Sequence, residues 1–313
     1  MQKRGKTAAG TQRWFCVSCS QSHSLGHDTQ KLGQLLDRFV RWLLGKNSQV
    51  EFDTTITDRT WRNQISWCWE ITPRLEPNIK AHEIILLDGI RIGVYVCLIA
   101  KTTKGVIGWQ WVGWESSLSW SILLNKIPSP IVVACDGQKG ILLAIARSWP
   151  KTRVQRCLVH VERNIRTKLT LHPQSEAGRK LFQLTRDLWQ VQTLEQAGIW
   201  QRSLENWGQH YSDLIRERSF YESSRRWWYT HKRLRSAYRQ LEKLLKDKQL
   251  FTYLDLTTEP IPRTTNHVEG GINSQLRTLL KLHRGLSQTH QMRLVDWYLY
   301  SRSEGQKPPR NFL

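Results

Sequence analysis

The alternation of apolar and polar positions divides the chain into segments of distinct texture. From Lys31, apolar residues recur at Leu32, Leu35, Leu36, Phe39, Val40, Leu43 and Leu44, and this spacing of three and four predicts an amphipathic helix. A second helix is expected from Thr57, with Thr57 or Asp58 as its N-cap and Trp61, Ile65 and Cys68 on one face. Two short helices joined by a polar turn suit a helix-turn-helix, although any αα-hairpin gives the same pattern. "ITPRLEPN", with Pro73 and Pro77, then reads as a linker.

Beyond it, "HEIILLDGIRI", "GVYVCLIAKT" and "GVIGWQWVGW" are strand-like runs separated by short turn signals, which predicts an antiparallel meander. A helix around Ser119 to Leu124, a buried strand in "SPIVVACDG", a helix from Ile141 to Trp149 and a strand in "TRVQRCLVH" complete an order β-β-β-α-β-α-β. That order makes an α/β fold, a mixed sheet with helices on its faces. From Glu162 to about Pro262 the rhythm is that of amphipathic helices, as in "GIWQRSLENWGQHYSDLI" and "RLRSAYRQLEKLLKDKQLF". The expected organisation is a basic arm over 1–30, a helical region over 31–78, a sheet over 79–161, an all-helical insertion over 162–262, helices returning to the sheet over 263–303, and a frayed tail over 304–313.

Charge narrows the choice of partner. Across 313 residues the net charge is +21, spread along the whole chain, and such an excess repels itself unless a polyanion is the usual company. Nucleic acid is the expected partner. The longest apolar run is interrupted by Asp88 and Arg91, so no transmembrane helix is expected, and no secretory leader is visible at the N-terminus. A cytoplasmic, nucleoid-associated protein is the resulting expectation. Cys16 and Cys19 form a lone C-x-x-C. Two thiolates do not complete a tetrahedral zinc site; His23 and His27 could supply the rest, and a pair of free cysteines in the basic arm is the alternative.

Acidic residues stand out against this background. Asp88 follows "IILL", Asp136 follows "IVVAC", and each is succeeded by glycine. Either alone is accounted for as a turn residue, yet a mixed sheet could bring both side by side. Glu269, in "TTNHVEGGINSQLR", begins a helix whose stripe is Val268, Ile272, Leu276 and Leu279, with Glu269 and Asn273 on an adjoining polar face. Asn266 and Glu269 have the spacing of a capping box. Gly270 and Gly271 each cost about 1 kcal/mol inside a helix, which suggests close approach to a sheet or a phosphate chain. Gathered carboxylates require a divalent cation to remain ionised, and Mg2+, with its preference for oxygen ligands, is the natural one.

These motifs resemble the DDE transposases of bacterial insertion sequences in the Mutator superfamily. The likeness rests on Asp88 in "LLDGIRI", Asp136 in "VACDGQKG", Cys157 and His160 in "CLVH", Glu269 in its glycine-rich stretch and "RGLS" from Arg284. The second aspartate follows the first by 48 residues and the glutamate follows by a further 133, room for a helical insertion. The resemblance implies an RNase H-like core in which Asp88, Asp136 and Glu269 bind two Mg2+ ions, with Mn2+ able to substitute, for cleavage and strand transfer at transposon ends. It implies terminal inverted repeats and target DNA as partners and a homo-oligomer assembled on them. Cys157, His160, Asn266 and Asn273 would support the site, and Arg277 and Arg284 would contact DNA. Without the family, Cys157 and His160 read as a buried strand cysteine and a strand-end histidine. In "RRWWYTHKRLR", Arg225, Arg226, Trp227 and Trp228 are the side chains best suited to stack on or pair with DNA, whereas most tryptophans suit the core. Two alternatives stay open: another RNase H-like nuclease without strand transfer, and a catalytically inactive DNA-binding remnant.

Overall fold

The structure, a computed structural model, describes residues 1–8, 10–24, 27–45, 55–76, 80–221, 226–255 and 257–313, leaving aside the side chains of His27, Asp28, His267 and Glu269. The chain opens with an antiparallel sheet of three short strands, β1 (Gln2–Lys6), β2 (Gln12–Phe15) and β3 (Ser22–Ser24). The first 30 residues are therefore not a plain arm. The strands are too short to show a period, and cross-strand contacts help hold them: the Lys3 ammonium lies 5.6 Å from the Trp14 ring centre and the Arg4 guanidinium 4.4 Å from that of Phe15.

Helix α1 (His27–Leu44) buries Leu36, Phe39, Val40 and Leu43. Helix α2 (Asp58–Ile65) starts where the sequence places it, the Thr57 hydroxyl accepting the Thr60 N–H at 3.2 Å. Trp61, Ile65 and Cys68 are all buried. The turn expected between these helices, residues 46–54, lies outside the described residues, as does Pro77 of the linker.

The sheet follows. β4 (Ile84–Ile92), β5 (Tyr95–Lys101) and β6 (Val106–Val112) succeed one another, then α3 (Ser117–Leu124), β7 (Val132–Cys135), α4 (Lys139–Ser148) and β8 (Arg153–Arg156). The strand order is β6-β5-β4-β7-β8, with β4 antiparallel to β5 and parallel to β7, and β7 parallel to β8. The sheet is mixed, as the element order requires. β4 is buried on both faces over most of its length, which is why its sequence does not alternate.

One boundary differs from expectation. β4 runs through Asp88 to Ile92 as its apolar run suggests, because Ile90 and Ile92 are buried and continue the pairing with β5. "TRVQRCLVH" is a strand only as far as Arg156; Cys157 is the residue preceding α5 (Leu158–Leu169), and His160 lies in that helix's first turn. Val161, Ile165 and Leu169 supply the helical stripe, and its period wins over the β-branched start.

The insertion comprises α6 (Glu176–Asp187), α7 (Leu194–His210), α8 (Ser212–Arg216) and α9 (Lys232–Lys246), and it is not all helix. A hairpin, β9 (Arg218–Phe220) paired with β10 (Trp227–Tyr229), interrupts it, where aromatic residues of high strand propensity face each other. After it come a helical turn (Asn266–Val268), a wider π-helical turn (Glu269–Asn273), α10 (Ser274–Leu282) and α11 (Gln288–Ser301). The end of the chain is not frayed. Phe312 packs edge-on against Trp297 and Tyr300, and the Arg310 N–H donates to Asp37 at 3.1 Å.

These elements form two compact units: residues 1–76 with 105–107 and 272–313, and residues 77–104 with 108–271. In the first, Trp69 stacks on His290 with ring centres 4.0 Å apart, and Arg293 donates to the Trp69 carbonyl at 2.9 Å. The second carries the sheet and the insertion. Among the described residues no helix is long and apolar enough to cross a membrane.

Candidate active site

The two aspartates belong to neighbouring strands: β4 contains Asp88, and Asp136 directly follows β7. Along the parallel pair, Ile84, Ile85 and Leu86 of β4 face Val132, Val133 and Ala134 of β7, and each aspartate stands two residues beyond the last of these pairs. Asp88 is buried and accepts the Gly89 N–H at 2.9 Å; Asp136, just past the end of β7, accepts the Gln138 N–H at 3.0 Å. Backbone amides thus already satisfy one oxygen of each.

The helical turn Asn266–Val268, which precedes the third acid in sequence, packs against β4. Val268 is fully buried there and its N–H donates to the Thr265 carbonyl at 2.7 Å. Glu269 follows at once. The Asn266 N–H donates to the Thr264 hydroxyl at 3.3 Å. The expected stripe holds through the wide turn that follows: Val268, Ile272, Leu276 and Leu279 are all buried, whereas Asn273, expected on a polar face, is buried as well. Gly270 and Gly271 have open space where a Cβ would stand, so packing within the chain does not account for them.

An acid that sequence reasoning passed over stands beside the aspartates. Glu115, two residues before α3, lies over Gly89: a Cβ at that glycine would come 2.8 Å from the Glu115 Oε1. Burial, reinforced by the negative charge of Asp136, raises the Glu115 carboxyl above the usual range. Its one sequence signal was position, directly ahead of the Ser116 cap of α3. Arg156 was also missed. Buried at the end of β8, it donates from Nε and Nη2 to the Asp136 carbonyl at 3.1 and 2.7 Å.

Cys157 is fully buried, and its Sγ accepts the Thr265 N–H at 3.3 Å. Burial pushes the thiol's pKa up, but hydrogen bonds from His160 and Thr265 more than offset it and hold it below the ordinary value. Cys135 lacks that relief; burial and the charge of Asp136 push it up to about 12.

Other candidates lie elsewhere. Arg226, Trp227 and Trp228 are exposed on the hairpin, with the Arg218 guanidinium 4.1 Å from the Trp227 ring centre; Arg225 falls outside the described residues. Arg277 on α10 and Arg284 after it are exposed on the first unit. Cys16 and Cys19 flank the turn between β2 and β3, and hydrogen bonding by Ser18 and Cys19 lowers the Cys16 thiol to about 6. Among the described residues, no three of His, Cys, Asp and Glu are grouped so as to hold a metal ion.

Comparison with known proteins adds the family. Residues 89–222 match the family described as Transposase, Mutator family. A transposase for insertion sequence element IS905 from Lactococcus lactis subsp. lactis (strain IL1403) is 35% identical over 71 residues, 21% of this chain and 18% of that protein. A probable transposase for an insertion sequence element from Corynebacterium diphtheriae is 24% identical over 219 residues, 63% of this chain and 64% of that protein. The chain thus spans under two thirds of each relative.

Proposed function

Because the chain belongs to the Mutator family of transposases, we propose that it is a DDE transposase acting on an RNase H-like core, cleaving DNA at insertion-sequence ends and joining it to a target. The observation that carries this reading is the parallel β4–β7 pairing, which ends two residues short of both Asp88 and Asp136, together with the packing on β4 of the turn leading into Glu269. Oxygen donors of this kind suit Mg2+. Burial first, and then the charge of Asp136, raise the pKa of the Glu115 carboxyl. Asp88, Asp136 and Glu269 would hold the metal, Mg2+ or Mn2+. When bound, it supplies a nucleophilic oxygen and stabilises the leaving oxygen of a phosphodiester.

The chain's own groups prepare the site. Amides from Gly89 and Gln138 hold one carboxylate oxygen of each aspartate in place. Arg156 fixes the Asp136 backbone and, as a buried cation, opposes part of the local negative charge. The open flank of Gly270 and Gly271 leaves room for a phosphate chain beside Glu269. A charge of +21 holds DNA without sequence preference, and the exposed aromatics of the hairpin stack on unpaired bases. In this reading α1 and α2 work as the helix-turn-helix that selects the ends, Cys16 and Cys19 would supply two of the four ligands that a structural zinc ion needs, and the active form is a homo-oligomer on DNA.

The experiment uses a duplex containing the DNA that flanks the gene, with Mg2+ and a second duplex as target. Asp88→Asn, Asp136→Asn and Glu269→Gln should each abolish cleavage while leaving salt-sensitive binding in place. Cleavage without joined product would instead assign a nuclease, and full activity in any of the three variants would remove the mechanism.

A further inference from the structure

The chemistry proposed above needs acids from distant parts of the chain to be held in register, and one short segment touches the supports of two of them. Arg156 donates through its guanidinium to the Asp136 carbonyl at 3.1 and 2.7 Å. The next residue, Cys157, donates its N–H to the Cys135 carbonyl at 2.9 Å and accepts the Thr265 N–H on Sγ at 3.3 Å. Leu158 then donates its N–H to the Arg263 carbonyl at 3.0 Å. Arg156, Cys157, Leu158 and Thr265 are all buried, so water cannot replace these bonds.

We propose that Arg156–Cys157–Leu158 is a positioning splint that fixes the residues leading into Glu269 against the strand end that bears Asp136. The physical need is plain. About a hundred residues of insertion separate the two acids, and closing so long a loop leaves its far end undetermined unless local bonds capture it. The splint captures it at 263 and 265, immediately ahead of the helical turn that packs on β4. Gln155 secures the insertion's exit in the same way, donating to the Leu250 carbonyl at 3.1 Å and accepting the Tyr253 N–H at 2.9 Å. His160, one helical turn on, acts with Thr265 to hold the Cys157 thiol below its ordinary range. The C-x-x-H spacing places thiol and imidazole on one helical turn, and its role here is positional.

This inference rests on the proposed reaction, so its test has a readout independent of it. Backbone amide exchange in the full chain compares the parent with Cys157→Ala. Protection over 263–268 should fall at least about tenfold while β4 and β7 keep theirs. Cys157→Ser, which retains an acceptor, should recover part of it and stands in if the alanine variant does not fold. Unchanged protection in 263–268 overturns the splint. In the cleavage assay, misplacing Glu269 should cost roughly a hundredfold and raise the Mg2+ concentration needed for half-maximal cleavage. If the parent cleaves and Cys157→Ala matches it at every Mg2+ concentration, the splint alone fails. If the parent does not cleave while the exchange result holds, the reaction fails and the splint remains.

Discussion

Gly137 should be irreplaceable because of a guanidinium, and Gly137→Ala tests that with a number. Its φ of +72° lies in the left-handed region, where an L side chain costs about 1–2 kcal/mol. Strain is the smaller part. An alanine Cβ there would overlap the Arg156 Nε and Cζ, so the guanidinium must leave the Asp136 carbonyl it binds at 2.7 Å. Hydrogen bonds from a charged donor are each worth about 1.5–3 kcal/mol. Counting one of the two as lost outright, the substitution should cost roughly 2.5–5 kcal/mol. Urea denaturation of the parent, Gly137→Ala, Arg156→Ala and the double variant forms a complete cycle. In the Arg156→Ala background only the backbone strain of about 1–2 kcal/mol should remain. An equal cost in both backgrounds would refute the steric argument and reduce Gly137 to a turn residue.

Glu115→Gln should stabilise the chelator-treated protein at neutral pH. The folded carboxyl titrates above its unfolded value, so the fold holds its proton more tightly and loses stability as pH rises through and above about 4.5. The advantage of glutamine should therefore shrink at pH 4, which paired denaturation curves at the two pH values would show. His283, which hydrogen-bonds the Leu43 carbonyl at 3.1 Å, and His290, stacked on Trp69, move the other way: burial lowers both. The unfolded chain then binds more protons just below pH of about 6.5, so the unit containing α1 and α11 should weaken as pH falls through that range. Replacing both histidines by glutamine should flatten its pH profile. Trp227→Ala or Trp228→Ala should weaken single-stranded DNA binding by about 1–3 kcal/mol, read by fluorescence titration, with little loss of stability because both side chains are well exposed.

The sequence by itself determined what is local. The stripe from Leu36 to Leu43, the Thr57 cap, the central strands and the helices of the insertion follow from periodicity and capping chemistry, which act within a few residues. The two aspartates were legible too, as acids set at glycine beside apolar runs. Where local signals competed, the outcome needed the rest of the molecule. Cys157 became a helix start because α5 has an apolar face to bury, and the hairpin at Trp227 formed inside a helical rhythm because β9 was there to pair with it. Only tertiary structure could decide the parallel pairing of β4 with β7, the nearness of Glu115 to Gly89, or the bond from Thr265 to Cys157. Such contacts join residues up to 108 positions apart, and no periodicity along a chain encodes which of its distant segments will meet.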